Sequence, residues 1–226
     1  MPIILALDTS TEACSCALSI NGRLRENHIV APRQHAALLL SNIDALLKDE
    51  GLTFAQLDAV AWGRGPGSFT GLRIAAGVTQ GIAFGANLPV IPVSTLASLA
   101  LDAHIATGQT RIFACLDARI DEVYWGLFSI EDGLPLAAGE EHLCKPEALP
   151  PDALGESAAW VAAGNGLSYA GRYPTAVMRQ LQYPLPELLP RAGHIATIAA
   201  AKFARKEWNA PEDTHPVYLR DKVTQQ

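Results

Sequence analysis

The chain has 226 residues, 49% hydrophobic and 18% charged, enough for one large domain or two small ones around a real core. A formal charge of −6 argues against tight autonomous binding to nucleic acid, which needs clustered Lys and Arg, so any part in RNA chemistry has to run through a partner. Cys14, Cys16, Cys115 and Cys144 form no CxxC pair or zinc-type spacing, and no two of the six histidines lie three or four residues apart, which excludes a helical HxxxH metal pair.

The N-terminal apolar stretch lacks a basic flank and breaks at Asp8, too early for a signal peptide, and no apolar run reaches the roughly 20 residues of a membrane span. A cytosolic chain with reduced thiols is expected. Ile3 to Leu7 reads as a strand ending at Asp8, followed by a polar turn from Thr9 to Glu12. A second strand runs from Ala13 to Ile20, and Asn21-Gly22 signals a type I′ hairpin into a third, Arg23 to Val30.

From Gln34 to Lys48 a helix is predicted whose apolar positions (36 to 40, 43 and 45 to 47) span more than the usual stripe of a surface helix. Leu57 to Trp62 is a strand, and it leads into Gly63-Arg64-Gly65-Pro66-Gly67-Ser68-Phe69-Thr70-Gly71. Glycine-rich loops before helices can cradle anions. Here the phosphate-binding lysine is missing, Thr70 stands where GxGxxG needs its last glycine, and Pro66 spoils a GxSxG elbow around Ser68. A structural turn is the favoured reading. The helix after Gly71 carries Gly77, Gly81 and Gly85 at i, i+4, i+8, hence on one face. Each interior glycine costs about 0.5–1 kcal/mol relative to alanine, which implies close approach of another helix or strand. Leu88 to Val93 is a short strand, and Ser94 caps a helix from Thr95 to about Ile105.

The opening grammar then repeats. Arg111 to Leu116 ends at Asp117, a turn spans Ala118 to Asp121, and Glu122 to Ile130 alternates through Val123, Trp125 and Leu127. Asp132-Gly133 turns the chain into Leu134 to Glu141. The two turn glycines follow their aspartates by 14 and 16 residues, which suggests two lobes of similar architecture. Seven prolines between Pro146 and Pro190 mark irregular connections around a strand at Ala159 to Ala163, with a last helix over 192 to 208 and an extended segment from Pro216 to Arg220. The boundaries expected are an N-terminal lobe over 1–102, a C-terminal lobe over 103–190, and a helix and tail over 191–226 that returns to the first lobe.

Two clusters could carry chemistry. Asp8 with Thr9, Ser10 and Thr11 could hold a metal-bound phosphate, and Asp117 could face it. The alternative is that both aspartates end strands and bond turn amides. His35, at the start of the broad apolar helix, suits helix-end bonding or an interface contact rather than a metal.

The runs ILALDTSTEACSCAL, GRGPGSFTGLRIAAGVTQGIA, STLASLA, LDARIDEVYWGLF and PVYLR resemble the TsaB (YeaZ) family over nearly the whole chain. The resemblance implies the α/β, two-lobe actin/Hsp70/sugar-kinase fold, built from duplicated βββαβα units. It also implies a non-catalytic subunit, without a cofactor, required for threonylcarbamoylation of N6 of adenosine 37 in tRNAs reading codons that begin with A. The catalytic paralogue would be TsaD, joined by the ATPase TsaE, with tRNA engaged only indirectly, no membrane contact, and a homodimer when the chain is alone. TsaD's metal-binding HxEGH pattern falls where this chain reads Ser94 to Ala100, with no histidine, and the glycine of the superfamily's phosphate turn is Ser10. The partner interface implied comprises His35, Leu38, Leu39, Ser41, Asn42, Ile43, Leu46, Leu47, Arg73, Ala76, Gly77, Gln80 and Gly81. The competing readings are an ATP-dependent phosphotransferase using Asp8 and Asp117, and a protease built on Ser68.

Overall fold

The computed structural model describes residues 2–155 and 159–220. It divides into two compact units, one formed by residues 2–98 and 190–217, the other by 99–155, 159–189 and 218–220. In chain order the elements are β1 (Ile3–Asp8), β2 (Ala13–Ile20), β3 (Arg23–Val30), α1 (His35–Asp49), β4 (Ala59–Gly63), α2 (Phe69–Ala86), β5 (Val90–Val93) and α3 (Thr95–Thr107). They continue as β6 (Arg111–Arg119), β7 (Glu122–Glu131), β8 (Leu134–Ala137), β9 (His142–Cys144), β10 (Trp160–Ala163), α4 (Thr175–Met178), β11 (Leu181–Leu185) and α5 (Ala192–Ala204).

The first sheet has the order β3-β2-β1-β4-β5 and the second β8-β7-β6-β10-β11, so the same path is traced twice. In each, an antiparallel meander is extended by two parallel strands. This is the duplicated α/β pattern of the actin/Hsp70/sugar-kinase fold. The copies differ in their crossovers. In the first unit α1 and α2 are full helices of 15 and 18 residues. In the second, the described residues before β10 make the short 3-10 turns Pro146–Ala148 and Pro151–Leu154, and the crossover to β11 is a 3-10 stretch, Asn165–Arg172, followed by the one-turn α4. The prolines that begin both short turns leave too little uninterrupted chain for a longer helix.

β1 shows why the first unit needs cover on both faces. Its alternate residues Leu5 and Leu7 join Cys14, Cys16, Leu18 and Trp62 beneath Leu39, Ile43 and Ala75 of α1 and α2. Ile4 and Ala6 point the other way, where Ala17, Ala59, Ala61 and Ile91 receive Ile195, Ala196 and Ala199 of α5. A strand buried on both sides reads as a continuous apolar run, as Ile3 to Leu7 does. The second core gathers Phe113 and Cys115 with Trp125, Trp160, Leu167, Tyr173 and Val177. Phe113 stacks on Trp125 at 6.1 Å between ring centroids. No helix among the described residues is long and apolar enough to cross a membrane.

Two predicted segments change. The stretch after Pro174, expected to be an irregular connection, contains β11 despite Pro184; among the described residues β11 pairs only with β10, and an edge strand tolerates a missing N–H. The last helix stops at Ala204 instead of 208, because Lys206 adopts a left-handed φ of 61° and Glu207 N–H returns to the Lys202 carbonyl at 2.9 Å.

The return of α5 to the first sheet is fixed by Glu26 of β3. One carboxylate oxygen accepts from Gly193 N–H at 2.9 Å and from the Ser15 hydroxyl at 3.0 Å, and the other accepts from Arg191 Nη2 at 2.8 Å. Ser15 Oγ accepts from Ala192 N–H at 3.0 Å. The open N–H groups of the helix are thus capped by side chains of strands far away in sequence, where the dipole favours an anion. Burial alone would raise the Glu26 carboxyl, but the bonds from Gly193, Arg191 and Ser15 outweigh it and hold the group below its usual 4.5. Its folded pKa being depressed, Glu26 stabilises fully above that value and the contribution is lost as pH falls through the folded pKa. Glu26→Ala is expected to cost about 2–3 kcal/mol in urea unfolding at pH 7, with the gap to wild type shrinking below pH 4.5.

Candidate functional site

Asp8 ends β1 with no exposure to solvent, and Thr9 and Ser10 after it are equally sealed. Ser10 donates twice to one Asp8 oxygen, from its N–H at 2.9 Å and its hydroxyl at 2.8 Å. The other oxygen, Oδ2, is buried without a hydrogen-bond partner. It rests against Gly63, where a Cβ would stand 1.9 Å from it. The start of α2 comes as close from the other side. A Cβ on Gly71 would lie 1.8 Å from the Thr9 carbonyl, and the Thr9 hydroxyl donates to the Gly71 carbonyl at 2.7 Å. Ser68 N–H donates to the Ser10 carbonyl at 2.7 Å, and its hydroxyl caps α2 by accepting from Gly71 N–H. Thr95 closes the loop, its hydroxyl donating to the Pro66 carbonyl and its N–H to that of Gly65.

The glycine loop therefore packs onto the β1–β2 turn and uses its hydrogen-bonding groups internally. Burial is the larger influence on Asp8 and raises its carboxyl, the two Ser10 bonds pulling the other way, to about 6. Thr11 is half-buried, its hydroxyl accepting from Ala13 N–H at 3.3 Å. His35 is the first residue of α1, the helix end at which it was expected, and it also bonds this turn: it is buried, and its imidazole is lowered by burial and partly restored by a bond to the Thr11 backbone. That contact depends on tertiary packing and left no signal in the local sequence.

Asp117 belongs to the second unit and caps the β6–β7 hairpin. Its Oδ1 accepts from Arg119 N–H at 2.8 Å and the Tyr169 hydroxyl at 3.3 Å, and its Oδ2 pairs with Arg119 Nη1 at 2.9 Å. Its N–H donates to Asn165 Oδ1 at 2.9 Å. At the place of TsaD's histidine pattern on α3, Thr95 bonds Pro66 and the Ser98 hydroxyl donates to the Arg191 carbonyl at 2.9 Å. These hydroxyls do not form a metal-ligand set, and among the described residues no cluster of three His, Cys, Asp or Glu could hold a metal.

The helical residues singled out in the sequence divide into two groups. Leu39, Ile43, Leu46 and Leu47 lie in the first unit's own core, as does Ala76. Gln80 is tied to the Pro211 carbonyl at 3.1 Å. With His35, these seven side chains are committed inside the unit, so the apolar face of α1 is wide because it covers two strands. A charge at Leu39 or Ile43 would disrupt that core. Leu38 and Asn42 are half-buried, while Ser41, Arg73, Gly77 and Gly81 face outward. The Arg73 guanidinium lies 4.0 Å from the centroid of the Phe69 ring. Beside them are Leu40 and Phe84, exposed by 55% and 57%, which the sequence reading did not single out.

Gly63→Ala is expected to cost about 1–3 kcal/mol, because the methyl group would overlap a sealed carboxylate. In Asp8→Asn the decline of stability between about pH 4 and 7 should flatten, since a carboxyl raised from 3.8 to about 6 in the folded state loses its contribution as pH climbs from the lower value through the upper. Urea unfolding of both variants at the two pH values checks these outcomes.

A family model described as TsaD: tRNA N6-adenosine threonylcarbamoyltransferase matches residues 29–225. The tRNA threonylcarbamoyladenosine biosynthesis protein TsaB of Escherichia coli is 39% identical, over 97% of this chain and 95% of the relative. The protein of the same name from Haemophilus influenzae is 36% identical, over 98% and 94%. Among solved structures, YeaZ from Pseudomonas aeruginosa superposes with a TM-score of 0.90 at 43% identity, covering 97% of this chain and all of that one. The chain belongs to the TsaB (YeaZ) family of tRNA threonylcarbamoyladenosine biosynthesis proteins.

Proposed function

We infer that this chain is a non-catalytic, cytoplasmic subunit of the tRNA threonylcarbamoyladenosine machinery, and that it binds and activates the catalytic paralogue TsaD through the outer face of α1 and α2. TsaE is the third component, tRNA is engaged through the complex, and a homodimer uses the same face when TsaD is absent. The observation that carries this reading is the outer face of α2. Gly77, Gly81 and Gly85 share it, and a Cβ built on any of them meets nothing within 4 Å. Inside the unit these glycines have no packing purpose, although each weakens the helix. Half-buried Ile74, Val78 and Ile82 alternate with them, and exposed Leu40 and Phe84 add apolar area. A groove without side chains between apolar ridges suits a partner helix at short distance.

The face accepts a partner of the same fold, because one helix pair laid against its counterpart makes a pseudo-twofold, self-complementary contact. The phosphotransferase reading is disfavoured by the sealed Asp8 turn. The protease reading is disfavoured by Ser68, whose hydroxyl caps α2.

Gly81→Leu is expected to leave the isolated chain folded, its thermal transition unchanged or slightly raised, and to weaken pairing with purified TsaD at least tenfold. Light scattering of the chain alone and mixed with TsaD, followed by calorimetry, measures both. Wild-type chain that ignores TsaD, or Gly81→Leu chain that pairs normally, would sink the reading.

A further inference from the structure

The chain contains two Asn-Gly dipeptides, Asn21-Gly22 and Asn165-Gly166. Each carries the atoms needed to lose its side-chain amide without an enzyme. The main-chain nitrogen of the glycine attacks the asparagine Cγ and closes a five-membered succinimide. The amide leaves as ammonia, taking the proton of that nitrogen. Water then opens the ring at one of its two carbonyls, giving aspartate or isoaspartate. Glycine is the most permissive follower, because no Cβ crowds its nitrogen, and asparagine is for such reasons a thermolabile residue. Sequence treats the two sites as equal. The fold does not.

Asn165 opens the 3-10 stretch that runs to Arg172, and its Oδ1 accepts from Asp117 N–H at 2.9 Å. Gly166 is buried, and its carbonyl accepts from the Tyr173 hydroxyl at 2.8 Å. A Cβ built on Gly166 would stand 2.9 Å from Cys115 Sγ and 3.0 Å from the Leu116 nitrogen. Closing a ring there would break the Asp117 bond and press the main chain into β6. Asn21-Gly22 is the opposite case. It forms the tip of the β2–β3 hairpin beyond the last pair, Ile20 and Arg23, with φ values of 54° and 85°. Both residues are exposed. Among the described residues, Gly22 N–H makes no backbone hydrogen bond, and none anchors the Asn21 amide.

We propose that Asn21 is a site of spontaneous deamidation in the folded chain, and that the fold protects Asn165 from the same reaction. The product places a carboxylate beside Arg23, whose guanidinium pairs with Glu50 at the end of α1. The isoaspartyl form also adds a methylene to the main chain inside a two-residue turn. Turn length fixes the register of a hairpin, so the Ile20–Arg23 pair then loses its geometry. The mark accumulates with the age of the folded chain and loosens the outer hairpin of the first sheet.

The test incubates the native chain at mildly alkaline pH, digests it in acid, and follows both asparagine peptides by mass spectrometry for a gain of one mass unit. Chain unfolded in guanidinium chloride supplies the reference rates. In the native chain the Asn21 peptide should convert at least tenfold faster than the Asn165 peptide. In the unfolded chain the two rates should agree within about threefold. Equal native rates, or a faster Asn165, overturn the proposal. An Asn21 that stays intact in the native chain while the unfolded chain converts overturns it too. Unfolded rates that stay tenfold apart do the same, because local sequence and not the fold would then set the difference. Asn21→Asp keeps a turn that Asp132-Gly133 already makes with φ values of 50° and 75°. Its intact mass should hold constant over the same incubation, and a gain that persists places the reaction elsewhere and sinks the assignment.

Discussion

The first unit depends on an approach of backbone to backbone too close for any side chain. The carbonyl of Thr9 and the carboxylate of Asp8 occupy the positions where Gly71 and Gly63 would otherwise carry Cβ atoms. This contact sets how near α2 lies to the edge of β1, and so where its outer face stands. The acidic strand end, its hydroxyl-bearing neighbours and the glycine-rich helix start are bonded to one another there.

Two ends of the same helix illustrate opposite uses of glycine. At the start of α2 the missing side chain is filled by the unit's own backbone. Farther along, at Gly77, Gly81 and Gly85, the space stays open. Sequence alone does not separate these cases, since both read as glycine in an apolar context. What separates them is whether a tertiary neighbour fills the gap, and that depends on the path of β1.

The strands were largely legible because period-two patterning and turn residues are local. β2 and β3 begin and end where Asn21-Gly22 and the apolar alternation place them. The repeat of the two meanders was visible in the same signals. β11 was not, because its prolines mask an edge strand whose pairing is settled by a distant neighbour. A wide apolar helix face can mean a partner or underlying strands, and Leu39 and Ile43 lie over the strands of the unit's own core. The exposure of Leu40 and Phe84 was not legible, because an apolar residue carries no mark of which way it points until the helix is docked.

The Glu26 clamp has a further consequence for how the chain is made. Residues 190–217 complete the unit that residues 2–98 begin, with the other unit encoded between them. During synthesis, the sheet face bearing Ile4, Ala6, Ala17, Ala61 and Ile91 leaves the ribosome long before its covering helix. That face stays wet until the residues after the other unit have emerged, and Arg191, Ala192 and Gly193 can then dock on Glu26 and Ser15. The first unit therefore closes later than its own first strands are made, and a partly exposed sheet face in that interval is the kind of surface that chaperones and neighbouring chains engage.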